Sequence, residues 1–517
     1  MHAADGGVHA RREKGQSEQL GRVNFPVSCT APAQATFNTG VALLHSFQYQ
    51  QAEQTFTQVA QQDPKCAMAY WGEAMSLYHQ LWDWPTADTL KQGLADTIAA
   101  QKLRAPTDRE RLYIVAAGVF FQDNANLSRA SRVKAYSDWM GRIFAKYPDD
   151  VNAGAFYALS LITLQGNKAD DLANRKQAIG ILDKLLAIAP NHPGVLHYLI
   201  HATDTPELAP QGLEAARRYA KIAPDSSHAL HMPSHIFVRL GMWQDSIQSN
   251  LAAEAAAAKA TEAGQADSSY QFHAMDFLDY SYLQSGQAAK AQEVVDELKT
   301  VPGATAYDIG NDQGWFEARL VVDLHQWKEA ASLPIPNAPL YSQYMTYWAR
   351  AIGAARTGDI TGAQDDINKY AVAIAANRAE NKQLGNKVSS GETIDQQEAE
   401  AWLDYGQGKN AEAVKTLRAA ATQEDTEGVD SLAMPAHEML GDMLRDMKKP
   451  AEAMVEYRKA LVESPNRFDA LYGAAQAAQL SGKTAEARGY LARLVKICGP
   501  DADRPELAQA RIELAKK

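Results

Sequence analysis

The chain has 517 residues and a net charge of −11, and 46% of its residues are hydrophobic against 22% charged. This composition is typical of a globular protein and excludes a largely disordered one. The acidic balance argues against a nucleic-acid-binding protein, which would normally show a basic stripe. No apolar run approaches the roughly 20 residues of a membrane-spanning helix, so we expect no membrane span.

The N-terminal segment, residues 1–24, is polar and lacks the apolar stretch of a signal peptide. We therefore predict a flexible segment and a cytoplasmic protein; a chain that naturally starts further upstream would be periplasmic or exported instead. Cys29 and Cys66 flank the first predicted helical pair. They would form a disulfide in an oxidising compartment and stay reduced in the cytosol, and the sequence leaves both states open.

A helical-repeat signature begins after the first cysteine. The signature is an aromatic residue, an alanine three residues later, a second aromatic four residues after that, and a proline near the turn. It is matched by Tyr49, Ala52, Phe56, Ala60 and Pro64. This spacing is typical of a tetratricopeptide repeat (TPR), and similar signals recur to the end of the chain. Strand signals are nearly absent. We predict an all-α, TPR-like α-solenoid of about ten helical pairs.

Pro-, Gly- and Asn-rich stretches divide the predicted repeats. We interpret residues 83–109 and 302–314 as loops. A further stretch, from Gly385 to Gly391, separates a main solenoid over 25–384 from a C-terminal group of repeats over 392–517.

Two histidine pairs stand one repeat apart. His197-x-x-x-His201 is followed 34 residues later by His231-x-x-x-His235. Residues four apart share one face of a helix, and the first helix of each TPR pair lines the concave groove. We therefore predict that these four side chains, with His228 one turn earlier, hold a transition metal. Neutral imidazole suits copper, zinc or iron.

Two observations leave alternatives open. The units 189–222 and 223–256 have diverged around the histidines, which favours function over simple duplication, although two polar pairs in a wet groove would give the same pattern. Pro233 either starts a new helix, in which case the face shared by His231 and His235 is lost, or kinks one helix, in which case the bend aims His231 toward His197. The number of ions (one shared, two or none) depends on that geometry.

The same register predicts further groove residues. Asp276 and Tyr280 occupy the two histidine positions of the next unit, and His273 matches His228. A metal-bound water would be activated at such a site, with Asp276 or Tyr280 as catalytic groups for proton transfer. The alternatives are an acid held by Arg319 and a packing aromatic. Later units place tryptophans in the groove, for ligand contact or for packing between repeats: Trp315, Trp348 and Trp402.

Three segments carry a resemblance to a known family: LLHSFQYQQAEQTFTQVAQQDPKCAMAYWGEAM from Leu43, HMPSHIFVRLGMW from His231 and PNRFDALYGA from Pro465. They resemble a widespread group of bacterial TPR proteins over nearly the full chain. The resemblance implies an α-solenoid but no particular activity. Members of this group are often exported, from which the polar N-terminus departs.

Two functions follow from the sequence. The first is a solenoid that binds a transition metal in its groove, with or without metal-dependent chemistry on a small molecule or peptide. The second is a non-catalytic scaffold that binds a partner protein or peptide, as most proteins of this architecture do. Bound metal and a strong effect of histidine replacement would favour the first.

Overall fold

The computed structural model describes residues 19–81, 84–164, 166–383, 391–428 and 432–516, and these residues form an all-α protein. A single 3₁₀ turn, Leu340–Ser342, accompanies the α-helices. The α-helices are α1 Ala31–His45, α2 Tyr49–Gln62, α3 Ala67–Ser76, α4 Ala87–Lys102, α5 Asp108–Phe121, α6 Arg129–Lys146, α7 Val151–Ile162, α8 Lys168–Ile188, α9 Pro193–Thr203, α10 Ala209–Ile222, α11 Ser227–His231, α12 Pro233–Arg239, α13 Trp243–Glu262, α14 Ser269–Gln284, α15 Ala288–Leu298, α16 Ala306–Asp323, α17 Trp327–Ala331, α18 Tyr344–Thr357, α19 Ile360–Gln383, α20 Gly391–Gly406, α21 Asn410–Glu427, α22 Ala436–Asp446, α23 Pro450–Glu463, α24 Phe468–Leu480, α25 Thr484–Ile497 and α26 Pro505–Ala515.

Neighbouring helices pack in pairs, each pair against the next, which confirms the predicted TPR-like architecture. Over the described ranges we count twelve two-helix units, with α11 and α12 together forming the first helix of one unit, and α26 after the last. The sequence signature had indicated about ten such units.

The interpretation of residues 83–109 as a loop is wrong, because α4 occupies most of this range. Its two prolines, Pro85 and Pro106, lie outside the helix on either side. Inside it, Gly93 lets the ring of Phe121 approach, since a Cβ there would lie 2.3 Å from Phe121 Cε1. The same error affects 302–314, where α16 begins at Ala306. Glycine and proline are typical of loops, but glycine also allows close packing inside helices and proline also flanks helix ends.

The core repeats one packing device along the solenoid. In the first units, the ring of Phe56 fills the space left by two glycines on the flanking helices, Gly40 and Gly72. A Cβ at Gly72 would lie 2.2 Å from Phe56 Cδ1. Close packing of this kind fixes the helix spacing and therefore the relative height of side chains on adjacent units.

The chain before α1 is tied to the solenoid. Cys29 and Cys66 form a disulfide, with their Cα atoms 5.1 Å apart, which joins this segment to the start of α3. Leu20 is buried, and the ring of Phe25 packs in the core against Trp71. The predicted flexible segment lies largely outside the described residues, which begin at residue 19.

The C-terminal repeats contact the middle of the chain directly. Arg467 is fully buried and forms ion pairs with Asp323 and Glu438, the latter at 2.8 Å. Trp243 donates its indole N–H to the carbonyl oxygen of Asn466 at 3.0 Å. The predicted division between the two groups of repeats stays a prediction, because residues 384–390 lie outside the described part.

A second buried ion pair lies within the C-terminal repeats. His437 is held between Glu456 Oε2 at 2.8 Å and Asp425 Oδ1 at 3.1 Å. Although burial opposes the charged imidazolium, the two carboxylates raise the pKa of His437. None of the described helices combines the length and the apolar composition that crossing a membrane requires.

Candidate metal centre

Helix α9 presents the first histidine pair. Pro193 occupies its first turn, where the missing N–H costs nothing, and the preceding His192 caps it by accepting from the backbone N–H of Val195. His197 and His201 follow at helical spacing, and their Nε2 atoms lie 3.0 Å apart.

Pro233 interrupts the second pair without separating it. Helix α11 ends at His231, and α12 begins at Pro233. Met232 between them keeps right-handed helical angles, with φ −52° and ψ −35°, so the chain continues in the same sense. As a result, His231 Nε2 lies 3.0 Å from His235 Nε2. Helix α12 thus starts at Pro233, yet His231 and His235 keep a common face, and His231 groups with His235 and His273 rather than with His197.

The structure brings together six histidines, in two groups of three. We call them the first triad, His197, His201 and His228, and the second triad, His231, His235 and His273. Within each triad, one ring nitrogen per residue lies within 4.8 Å of the others. Each predicted i,i+4 pair therefore belongs to its own triad. His273, predicted only as a groove residue, completes the second.

In the second triad, hydrogen bonds fix which ring nitrogens carry protons. His235 donates Nδ1–H to Asp204 Oδ2 at 2.9 Å. His231 donates Nδ1–H to Asn250 Oδ1 at 2.6 Å, and the Asn250 amide is oriented by donating Nδ2–H to the carbonyl oxygen of Ser246. In the neutral imidazoles, Nε2 is then unprotonated on both rings. Two nitrogen lone pairs therefore face each other at 3.0 Å, which is repulsive unless a cation or proton lies between them.

The first triad follows the same rule. His197 donates Nδ1–H to the carbonyl oxygen of His45 at 2.6 Å, so its Nε2 lone pair points to the other two rings. His228 Nε2 lies 3.1 Å from it, close to the 3.0 Å of His201. A tetrahedral zinc or copper ion with bonds of about 2.0 Å would separate its nitrogen ligands by about 3.3 Å. The nitrogens therefore need to move by only a few tenths of an ångström.

Burial keeps the rings neutral. It lowers the pKa of His197 to about 3, against the opposing hydrogen bond to the His45 carbonyl, and lowers the pKa of His273 to about 4. Burial, reinforced by neighbouring imidazoles, holds the pKa values of His201, His228 and His231 well below their ordinary range. Neutral imidazole is the form that ligates metals.

The predicted catalytic groups lie beside the triads on α14. Asp276 follows His273 by one turn, forms an ion pair with Arg319 at 2.6 Å and accepts from the Trp315 indole N–H at 3.2 Å. Tyr280 lies one turn further; its hydroxyl accepts from Arg467 Nη1 at 3.3 Å, and burial raises its pKa. Arg319 is the partner that the alternative of a held acid named for Asp276, whereas the contact of Tyr280 with Arg467 was not predicted.

The predicted groove tryptophans lie further along the solenoid, with their polar edges engaged. Trp348 donates its indole N–H to Glu398 Oε2 at 3.1 Å. The ring of Trp402 lies 4.1 Å from the guanidinium carbon of Arg356. Between Trp315 and Trp348 a space of about 40 Å³ remains, enough for a water molecule and too small for a peptide side chain.

Comparison with known proteins identifies the repeat. The tetratricopeptide repeat family model matches residues 469–497. Residues 469–497, which span the end of the chain's repeat array, therefore match one tetratricopeptide repeat. No curated protein matches it. Similar solved structures include the human IFIT1 dimer with m7Gppp-AAAA, at 14% identity and TM-score 0.36 over 88% of this chain and 94% of that one. Another is a tetratricopeptide repeat protein from Parabacteroides merdae, at 14% identity and TM-score 0.31 over 56% and 97%.

In this TPR-like solenoid, the triads come from the first helices of three successive units: α9, α11 with α12, and α14. Sequence reasoning missed the groups that orient the imidazoles, namely Asp204, Asn250 and the His45 carbonyl. Asp204 lies three residues after His201, which is a visible signal. Asn250 and His45 are distant in sequence and give none.

Proposed function

We propose that this TPR-like protein binds a transition metal through the two histidine triads. The observation that supports it best is the pair of Nε2 lone pairs of His231 and His235 facing each other at 3.0 Å, with both Nδ1 protons committed elsewhere. An apolar pocket would not gather such atoms, because each burial of an unsatisfied lone pair costs free energy. A shared cation removes that cost.

The surrounding hydrogen bonds support the same conclusion. Metal-ligating histidines almost always donate the second ring N–H to a carboxylate, a carbonyl or another acceptor, which fixes the ring and raises its basicity. His235, His231 and His197 each do so, to a carboxylate, an amide oxygen and a backbone carbonyl. Copper, zinc and iron all accept imidazole ligands.

Metal-dependent chemistry on a small molecule or peptide would extend this proposal. The partly buried Asp276 is the better candidate for moving a proton, since it lies one turn from His273. Its carboxylate is also held by Arg319 in an ion pair. Tyr280 lies two turns from His273 and is engaged by Arg467, which makes it the weaker candidate.

The experiment is metal analysis by plasma mass spectrometry on protein purified without chelator or nickel resin. We expect at least one equivalent of copper, zinc or iron in the parent, and a loss of most of it in His231→Ala/His235→Ala. His437→Gln serves as the matched control, because His437 lies on α22 in the C-terminal repeats, between Glu456 and Asp425. Circular dichroism checks that all three proteins are folded.

The competing function is a scaffold for a partner protein or peptide. It predicts no metal in the parent, even after reconstitution with each of the three ions, and that result would overturn the metal proposal. Peptide binding that depends on Trp348 and is indifferent to the histidines would then support the scaffold.

A further inference from the structure

The two triads are adjacent in the part of the chain that the structure describes. The ring centroids of His201 and His235 are 5.8 Å apart, and those of His228 and His231 are 6.0 Å apart. Within the first triad itself, the centroids of His201 and His228 are 6.3 Å apart. The nearest rings of the two triads are therefore about as far apart as the two most distant rings of the first triad, whose closest ring centroids are 4.8 Å apart. Ions held in both triads would thus be neighbours within one histidine cluster.

The charged side chains around the triads are engaged with one another. Asp204, which accepts from His235, is bound by Arg239 at 2.9 Å. Arg319 binds both Asp276, at 2.6 Å, and the buried Asp279, at 3.1 Å. Arg175, which donates to the carbonyl oxygen of His201, is paired with an aspartate one turn away on its own helix. Imidazole binds a metal ion in its neutral form, so the six ligands themselves bring no negative charge to bound ions.

This neutrality selects against two buried divalent ions. The cost of taking an ion out of water rises with the square of its charge, so a monovalent ion costs about a quarter as much as a divalent one. Zinc has no monovalent state in proteins, and hard ions such as magnesium and manganese prefer oxygen ligands. Copper combines high affinity for imidazole with an accessible monovalent state.

Apolar rings cover the triads. Phe47 packs against the first, with its centroid 4.4 Å from that of His197 and 5.6 Å from that of His201. Phe277 packs against the second, 4.7 Å from His231 and 4.8 Å from His235. A ligand that reaches both triads must therefore be small, and an uncharged one crosses this cover at the lowest desolvation cost.

We propose that the two triads hold a pair of copper ions that share one small ligand, and that the reduced pair binds dioxygen. The inference rests on the metal binding proposed above. In the binding step each Cu(I) gives one electron, and the two electrons reduce dioxygen to a bound peroxide. The O–O σ bond is kept, no proton is taken up, and release of dioxygen returns both electrons to copper.

The first test loads the protein with Cu(I) without oxygen, then measures copper equivalents and dioxygen uptake on an oxygen electrode. We expect two copper ions per chain and one dioxygen per pair. Electron paramagnetic resonance of the oxygenated protein should show far less than two spins per chain, because two Cu(II) ions that share a ligand couple their spins. The His437→Gln variant should behave as the parent, because His437 lies in the C-terminal repeats.

The second test removes one ligand from the second triad, as His273→Ala or, in case that variant fails to fold, His235→Ala. We expect about one copper per chain, a single-spin signal after oxidation with ferricyanide, and no dioxygen uptake. Two coppers in the parent with a full two-spin signal and no uptake would overturn this inference but leave metal binding intact. No copper, zinc or iron at all would overturn the proposed function itself.

Discussion

Asp204→Asn tests the group that orients a proposed metal ligand, His235, while leaving that ligand in place. The Asp204 carboxylate accepts Nδ1–H of His235 at 2.9 Å and binds the Arg239 guanidinium through its other oxygen, also at 2.9 Å. The Arg239 charge and the His235 hydrogen bond outweigh burial and hold the pKa of Asp204 well below its usual range, so it is charged at neutral pH. An asparagine keeps the shape and one acceptor oxygen but removes the charge that makes Nε2 of His235 more basic.

The expected effect follows from what such partners contribute in metal sites. Loss of an outer hydrogen-bonding partner typically weakens metal binding by about 10- to 100-fold, which corresponds to about 1.4–2.8 kcal/mol of binding free energy. We expect the dissociation constant for Cu(I) to rise by that factor. Competition with a coloured Cu(I) chelator under anaerobic, reducing conditions measures it.

Asp366→Asn is the matched control. Asp366 is also buried and accepts from an arginine Nε, that of Arg350 at 3.1 Å, but on α18 and α19, away from the triads. Both variants should lose stability in urea unfolding, and only Asp204→Asn should lose copper affinity. Equal copper affinity in Asp204→Asn and the parent would refute the reasoning that this carboxylate supports a metal ligand.

Three further predictions concern stability. Cys29→Ser/Cys66→Ser should lower the free energy of unfolding by about 4 kcal/mol, since the disulfide closes a loop of 37 residues. Urea unfolding of the variant, compared with the disulfide-bonded parent, measures the loss, and equal free energies of unfolding would contradict it. Gly72→Ala should lower the free energy of unfolding by about 1–3 kcal/mol, because the added Cβ overpacks the core. Gly489→Ala should raise it by about 0.5–1 kcal/mol, because the added Cβ lies in mid-helix with nothing within 4 Å. Melting temperatures of the two variants that shift in the same direction would contradict this packing geometry. The pKa of His437 is raised in the folded protein, so its contribution to the free energy of unfolding is fully present below the ordinary pKa of 6.5 and is lost as the pH rises through the folded pKa. Between these two pKa values the free energy of unfolding should fall in the parent and change less in His437→Gln.

The period of the sequence predicted most of the fold and half of the site. A 34-residue displacement of the histidine pairs was enough to place them on equivalent helices, because a TPR unit has a nearly constant length. His273 is 45 residues after His228, since α13 is a long helix of 20 residues followed by a turn, yet the register still matched the two positions.

What the sequence by itself determined is local: helix type, the spacing of repeats and the face that each histidine pair occupies, all of which depend on residues a few positions apart. It misread residues 83–109, where prolines mark the ends of α4 and a glycine admits Phe121. Only the tertiary structure decided that the histidines divide into two triads, that α12 starts at Pro233 without separating His231 from His235, and that Asn250 and the His45 carbonyl fix the protons. These features depend on how adjacent units pack. Packing brings together residues that are far apart in the sequence, so their contacts produce no regular spacing from which they could be predicted.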